Sequence, residues 1–190
     1  MNLPNTLTII RITLAPVYFA AFFFTEWTGI GQVAALIVLA TVFVAMEVSD
    51  LLDGYLARKY GLVTEIGKVI DPFADVLSRM TYFFCFTLSG LMPAWVFLVL
   101  LYRELGITFL RMLMMRRGVA MAASIWGKAK AVTYAVGGVL GLAYVVFDRL
   151  SPEVYFLPAL RTITVAVFIF GAASSVLSFL TYVRGALKQE

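Results

Sequence analysis

Four aspartates carry the clearest chemistry in this chain. Asp50 and Asp53 stand three residues apart, and Asp71 and Asp75 stand four apart; on helices, each pair shares one face. Between the pairs lie Gly54, Ala57 and Arg58, then eight residues, then Gly67. Carboxylates gathered in one place disfavour one another's charge unless cations offset them, and two divalent ions would cancel four negative charges. The donors are hard oxygens. The chain has no histidine and a single cysteine, Cys85, so Mg²⁺ or Mn²⁺ suits the set and the His and Cys ligands that Zn²⁺ prefers are missing. Two such ions about 3.5–4 Å apart are a device for in-line displacement at phosphorus. Gly54 and Ala57 leave the helix bare beside Asp53, so a ligand can approach the backbone, and Arg58 can fork onto a pyrophosphate. Taken singly, aspartates at helix ends are often solvated caps, and Asp71-Pro72 has the form of an N-cap followed by proline at the first helical position. Four at this spacing, with two small residues and an arginine between them, are not accounted for by capping.

The elements that must position these groups are membrane spans. Of 190 residues, 62% are hydrophobic and only 14% charged, against about 45–50% and 25% in soluble domains; the mean hydropathy is +0.95. A fold of this size cannot hide so much apolar surface from water, so the excess faces lipid. A bilayer core needs about 20 apolar residues in a helix. Six stretches qualify: 7–25, 32–52, 69–90, 93–115, 125–147 and 154–183. The expected fold is therefore an all-α integral membrane bundle of six transmembrane helices, one domain over residues 1–190, with the catalytic motif at 50–75. Arg11 interrupts the first apolar stretch, and no basic residue precedes it, so this stretch is expected to be a retained span rather than a cleaved leader. Glycine-containing turns at Thr28–Gly31 and Ser89–Pro93 separate the first and second and the third and fourth stretches.

Orientation follows from the basic residues. With a cytoplasmic N-terminus, Arg58, Lys59, Lys68, Arg116, Arg117, Lys128, Lys130, Arg184 and Lys188 fall on the cytoplasmic side, and only Arg149 and Arg161 fall outside. Both termini and the loop from Asp53 to Lys68 are then cytoplasmic. The net charge of +4 reads as a collar for anionic lipid head groups; the cations are scattered at helix ends, which argues against a nucleic-acid surface.

The run from Asp50 to Asp75 matches the signature D-x2-D-G-x2-A-R-x8-G-x3-D-x3-D at every defined position, and the chain resembles the CDP-alcohol phosphotransferase family along its whole length. That resemblance implies a homodimer of six-helix subunits in the bacterial inner membrane, with the active site open to the cytoplasmic leaflet. It implies that Asp50, Asp53 and Asp71 ligate the metal ions. Asp75 would complete the second metal site and take the proton of the attacking hydroxyl. Asp53, Gly54, Ala57, Arg58 and Gly67 would hold the CDP moiety of CDP-diacylglycerol.

Outside the motif, the chain is similar to the bacterial phosphatidylglycerophosphate synthases, whose acceptor is glycerol 3-phosphate. The similarity lies in Asn2 to Thr8 with Arg11, in Arg103-Glu104 followed by Arg111, and in the stretch from Ala122 to Lys130. It departs at Val76, Ala131 and Tyr134, where members of this type commonly carry Lys, Thr and Gln. An arginine within a span needs an anionic partner. Arg103, Arg111 and Lys128 are expected to converge on an acceptor phosphate, with Glu104 directed elsewhere and Arg79 paired with Asp75 one turn away. The competing reading pairs Arg103 with a carboxylate on another helix. Inositol phosphate, serine and phosphatidylglycerol stay open as acceptors. An ion-coupled transporter is the non-enzyme alternative, although transport sites lie nearer the bilayer midplane and between repeats.

Overall fold

The structure, a computed structural model, describes residues 3–61, 65–116 and 125–187. Among them it is all α-helical, in the order α1 Leu3–Thr28, α2 Gln32–Tyr60, α3 Glu65–Leu88, α4 Ala94–Arg116, α5 Ile125–Leu150 and α6 Leu157–Leu187. These are the six elements that the apolar stretches predict. Four contain a segment long and apolar enough to cross a membrane: Asn5–Thr28, Gln32–Leu56, Lys130–Leu150 and Leu157–Arg184. They mark the chain as a multi-pass membrane protein. α3 and α4 fall outside this group by composition. Asp71, Asp75 and Arg79 sit in the apolar part of α3, and Arg103, Glu104 and Arg111 in that of α4.

One expectation about the motif is corrected. The segment from Asp53 to Lys68 is largely helix rather than loop, because α2 runs on to Tyr60 and α3 begins at Glu65. Gly61, at φ +63°, ends α2 in the left-handed conformation that glycine adopts without strain. The competing cap reading of Asp71 does not hold either: Asp71 lies well inside α3, and Pro72 is an internal helical proline that takes one donor out of the backbone ladder. The four aspartates thus project from two continuous helices.

The chain divides into two compact units, Met1–Cys85 with Val146–Pro152, and Phe86–Val145 with Glu153–Glu190. In the first, Tyr18 and Tyr82 are fully buried and meet edge to face, with ring centroids 6.3 Å apart; Phe43 packs against both. At the far end of α1, Arg149 stacks on Phe22, its guanidinium carbon 4.5 Å from the ring centroid. Arg149 also donates to the Phe22 carbonyl at 2.7 Å and to Glu26 at 3.3 Å. Thr8 and Glu26 are separated by about 27 Å of helix at 1.5 Å per residue, so the first unit carries one polar cluster near each end of α1.

In the second unit, the turn after α3 is closed by Leu91 and Met92 N–H groups that both donate to the Phe86 carbonyl, at 3.0 and 2.9 Å. The Phe86 ring is fully buried and stacks on Phe168. Gly141 of α5 lies directly against it: a Cβ there would fall 2.4 Å from a Phe86 ring carbon. Gly141→Ala is therefore expected to overpack this contact and lower stability by about 1–3 kcal/mol. The readout is the apparent Tm in detergent. Adding Phe86→Leu should recover part of the loss, whereas an unchanged Tm for Gly141→Ala contradicts the packing.

Candidate functional site

The site is assembled in the first unit, where the N-terminal part of α1 meets the ends of α2 and α3 that carry the aspartates. Arg11 is 1% exposed although it lies in a span-forming helix. A guanidinium there needs anionic partners, and it has two. Its Nη1 donates to Asp50 Oδ1, and its Nη2 donates to Asp53 Oδ2 at 2.6 Å. Thr8, one turn earlier on α1, places its hydroxyl 2.6 Å from Asp71 Oδ1 and 3.3 Å from Asp53 Oδ2. A hydroxyl has one proton to give, and the shorter distance assigns it to Asp71. Arg79 completes the set from α3, with Nε 2.8 Å from Asp75 Oδ1 and Nη2 3.2 Å from Asp50 Oδ2.

The result is a continuous series of polar contacts running Asp71, Thr8, Asp53, Arg11, Asp50, Arg79, Asp75, in which Thr8 donates to Asp71 and lies 3.3 Å from Asp53. The structure thus brings together the four aspartates singled out by spacing, and the expected Arg79–Asp75 pair is present. Arg11 and Arg79 each straddle two carboxylates. Charge balance is therefore not simply four carboxylates against metal ions, since the arginines already offset two of the four negative charges. Asp53 is the most enclosed of the four, at 4% exposed. The donor set of four carboxylates beside one hydroxyl is made of hard oxygens only and fits Mg²⁺ or Mn²⁺. As arranged, no three acidic groups among the described residues surround a single point closely enough to hold an ion; the guanidiniums sit on the carboxylates instead.

Thr8, Arg11 and Glu47 are site residues that the motif does not announce. Arg11 had a signal, a lone cation inside an apolar stretch, but its partners lie some forty residues away in sequence. Glu47 continues the three-residue spacing of Asp50 and Asp53 by one turn and accepts a hydrogen bond from Tyr82 Oη at 3.4 Å. Of the groups expected to hold the CDP moiety, Gly54 follows Asp53 on α2 and Gly67 is buried on α3. The side chains of Ala57, Arg58, Arg111 and Lys128 lie outside the described residues.

Arg103 belongs to the second unit and to a different arrangement from the one expected. Glu104 does not point away from it: Arg103 Nη1 donates to Glu104 Oε1 at 2.9 Å. Its Nε donates to the Ser175 carbonyl at 3.3 Å and its Nη2 to Ser178 Oγ at 3.1 Å. Lys130, read from sequence as part of the basic collar, is buried. Its Nζ lies 2.6 Å from Glu104 Oε1 and 4.6 Å from the centroid of the Tyr134 ring. Glu104 therefore joins α4 to α5, and Arg103 joins α4 to α6. Arg103 is satisfied within the protein. Tyr134, one of the departures noted above, packs under Lys130.

Comparison with known proteins agrees with the motif. The family model described as CDP-alcohol phosphatidyltransferase matches residues 1–177. The CDP-diacylglycerol–glycerol-3-phosphate 3-phosphatidyltransferase of Treponema pallidum is 32% identical over 97% of this chain and 88% of its own length. A probable phosphatidylglycerophosphate synthase of Mycobacterium tuberculosis is 35% identical over 98% of this chain and 82% of its own. A Bacillus subtilis protein with the same name as the T. pallidum one is 35% identical over 68% of this chain and 70% of its own.

The second-unit network makes its own prediction. Arg103→Met takes one cationic partner from Glu104 and strips Ser175 and Ser178 of a donor. Breaking a buried pair in this way costs about 3–5 kcal/mol, seen as a marked fall in Tm. A variant with unchanged Tm and selectively weakened acceptor affinity would return Arg103 to the acceptor pocket.

Proposed function

Because the chain belongs to the CDP-alcohol phosphatidyltransferase family, we propose that it transfers the phosphatidyl group of CDP-diacylglycerol to glycerol 3-phosphate and releases CMP. The observation that carries this reading is the series of polar contacts through Thr8, Arg11 and Arg79 that joins Asp50, Asp53, Asp71 and Asp75. The names of the T. pallidum and B. subtilis relatives support the choice of substrates. We read the chain as one domain, a reading supported by a family match that runs through both compact units. The same reading makes it a homodimer of six-span subunits in the bacterial inner membrane. The bias of Lys and Arg supports a cytoplasmic site and cytoplasmic termini, and the collar suits anionic lipids.

The chemistry is an in-line displacement. The acceptor hydroxyl oxygen attacks the lipid-bearing phosphorus, the bond from that phosphorus to the oxygen of CMP breaks, and the hydroxyl proton passes to Asp75. Asp50, Asp53, Asp71 and Asp75 would hold two Mg²⁺ or Mn²⁺ ions, which supply charge neutralisation at the transferring phosphoryl group. Arg79 orients Asp75 through their 2.8 Å ion pair. Gly54 and Ala57 let the CDP moiety approach α2, Gly67 does the same on α3, and Arg58 forks onto the pyrophosphate. Arg111 and Lys128 are the proposed ligands of the acceptor phosphate. Arg103, held by Glu104, Ser175 and Ser178, braces the second unit.

Two measurements test this. Asp75→Asn should lose turnover far more than it loses affinity for CDP-diacylglycerol; a parallel fall in both would make Asp75 a binding group and no base. For the acceptor, Arg111→Lys keeps the charge and loses the fork. It should raise the KM for glycerol 3-phosphate roughly 10–150-fold, the equivalent of about 1.5–3 kcal/mol for a charge-assisted bond, while CDP-lipid binding is spared. Glycerol 2-phosphate should compete with the acceptor, and plain glycerol should be a poor substrate. CMP release that is indifferent to glycerol 3-phosphate but driven by serine or phosphatidylglycerol would overturn the acceptor assignment.

A further inference from the structure

Resting on the phosphotransfer reading above, we propose that Arg11 and Arg79 set the order in which the site is filled: one divalent ion before the CDP-lipid binds, and a second only together with the lipid's pyrophosphate. Each guanidinium bridges two of the four aspartates, Arg11 joining Asp50 to Asp53 and Arg79 joining Asp50 to Asp75. Arginine does not lose its proton in proteins, so these are permanent positive charges. Four carboxylates and two guanidiniums leave two negative charges, which one divalent ion cancels. A second ion would bring two uncompensated positive charges to a site where Arg11 is 1% and Asp53 4% exposed, and charge imbalance is costly at such burial.

Glu47 does not reverse this balance. It is hydrogen-bonded by Tyr82 at 3.4 Å, and counting it as ionised leaves three negative charges, one short of two divalent ions. The pyrophosphate of a CDP-diester carries two negative charges, enough to admit the second ion. Arg11 also stays in place when ions arrive: it is rooted on α1, a separate element from the two aspartate-bearing helices, and it is enclosed on all sides. It acts as a positioning residue and an internal counter-cation; it is not a group that touches the reacting atoms.

The test is Mn²⁺ stoichiometry, read by electron paramagnetic resonance on the purified full-length protein in detergent, without acceptor. Wild type should bind one Mn²⁺ per chain alone and two with CDP-diacylglycerol. The lipid should tighten the second ion about 5–150-fold, the usual span of linked sites, and Mn²⁺ should tighten the lipid by the same factor. Arg11→Met leaves three negative charges, four with Glu47 ionised, and should bind the second ion more tightly without lipid than wild type does, whereas Arg11→Lys should keep the wild-type pattern. Arg79→Gln provides the same gain if Arg11→Met does not fold, and the wild-type comparison needs no variant. Two ions on the wild-type protein without lipid, or one ion in both conditions, overturns the proposal and leaves the phosphotransfer reading standing. Failure to bind Mn²⁺ in either condition contradicts the metal assignment itself, and the proposal falls with it.

Discussion

Carboxylates that crowd together in a membrane protein must be held by something, and here two arginines and one threonine hold them. Asp50, Asp53, Asp71 and Asp75 come from two helices; Arg11 and Arg79 bridge Asp50, Asp53 and Asp75, and Thr8 donates to Asp71 while lying against Asp53. Arg11 is the centre of this arrangement. It forces α1 to lie where its side chain reaches α2, and it places Thr8 one turn away against Asp71 of α3. The aromatic cluster of Tyr18, Phe43 and Tyr82 then packs the same three helices, and Tyr82 reaches back to Glu47 beside the aspartates. Removing a charged partner from such a network exposes the remainder to desolvation with no counter-charge, which is far costlier than losing a surface ion pair.

The same economy of charge explains why α3 and α4 are less apolar than their neighbours. An ionised group at the middle of a spanning helix costs about 2.5–3.5 kcal/mol on insertion scales, so such groups occur where function or a partner compensates. In the apolar part of α3 the charges are Asp71, Asp75 and Arg79, all within the bridged series. In α4 they include Arg103 and Glu104, neutralised against each other and against Lys130 of α5. The second unit thus carries a buried polar brace of its own, with Ser175 and Ser178 of α6 completing the donors' needs.

Much of this was legible in the residues. Hydropathy predicts six helices, and the glycine-bearing segments at 28–31 and 89–93 fall at the observed turns. The spacing of the aspartates marks them as one constellation, and one-turn proximity pairs Arg79 with Asp75. What local pattern does not convey is which distant groups meet. Thr8 and Arg11 find carboxylates about forty to sixty residues on, a pairing that no periodicity encodes. Glu104 next to Arg103 should face away by helical geometry, yet the long guanidinium stem bends back to reach it. Lys130 reads as one cation of the basic collar until Glu104 of α4 supplies its partner. The connection after Asp53 reads as loop because its charged residues resemble a surface turn, whereas α2 simply continues to Tyr60.

The claim on which everything else rests is that the bridged aspartates are a divalent-metal site for phosphotransfer. Anomalous diffraction at the manganese edge, from crystals grown with Mn²⁺ and CDP-diacylglycerol, tests it most directly. The account predicts two manganese peaks about 3.5–4 Å apart, ligated by carboxylate oxygens of Asp50, Asp53, Asp71 and Asp75, with the pyrophosphate against them. Manganese bound elsewhere, or a CDP-lipid seated with no metal between it and these four side chains, would contradict it.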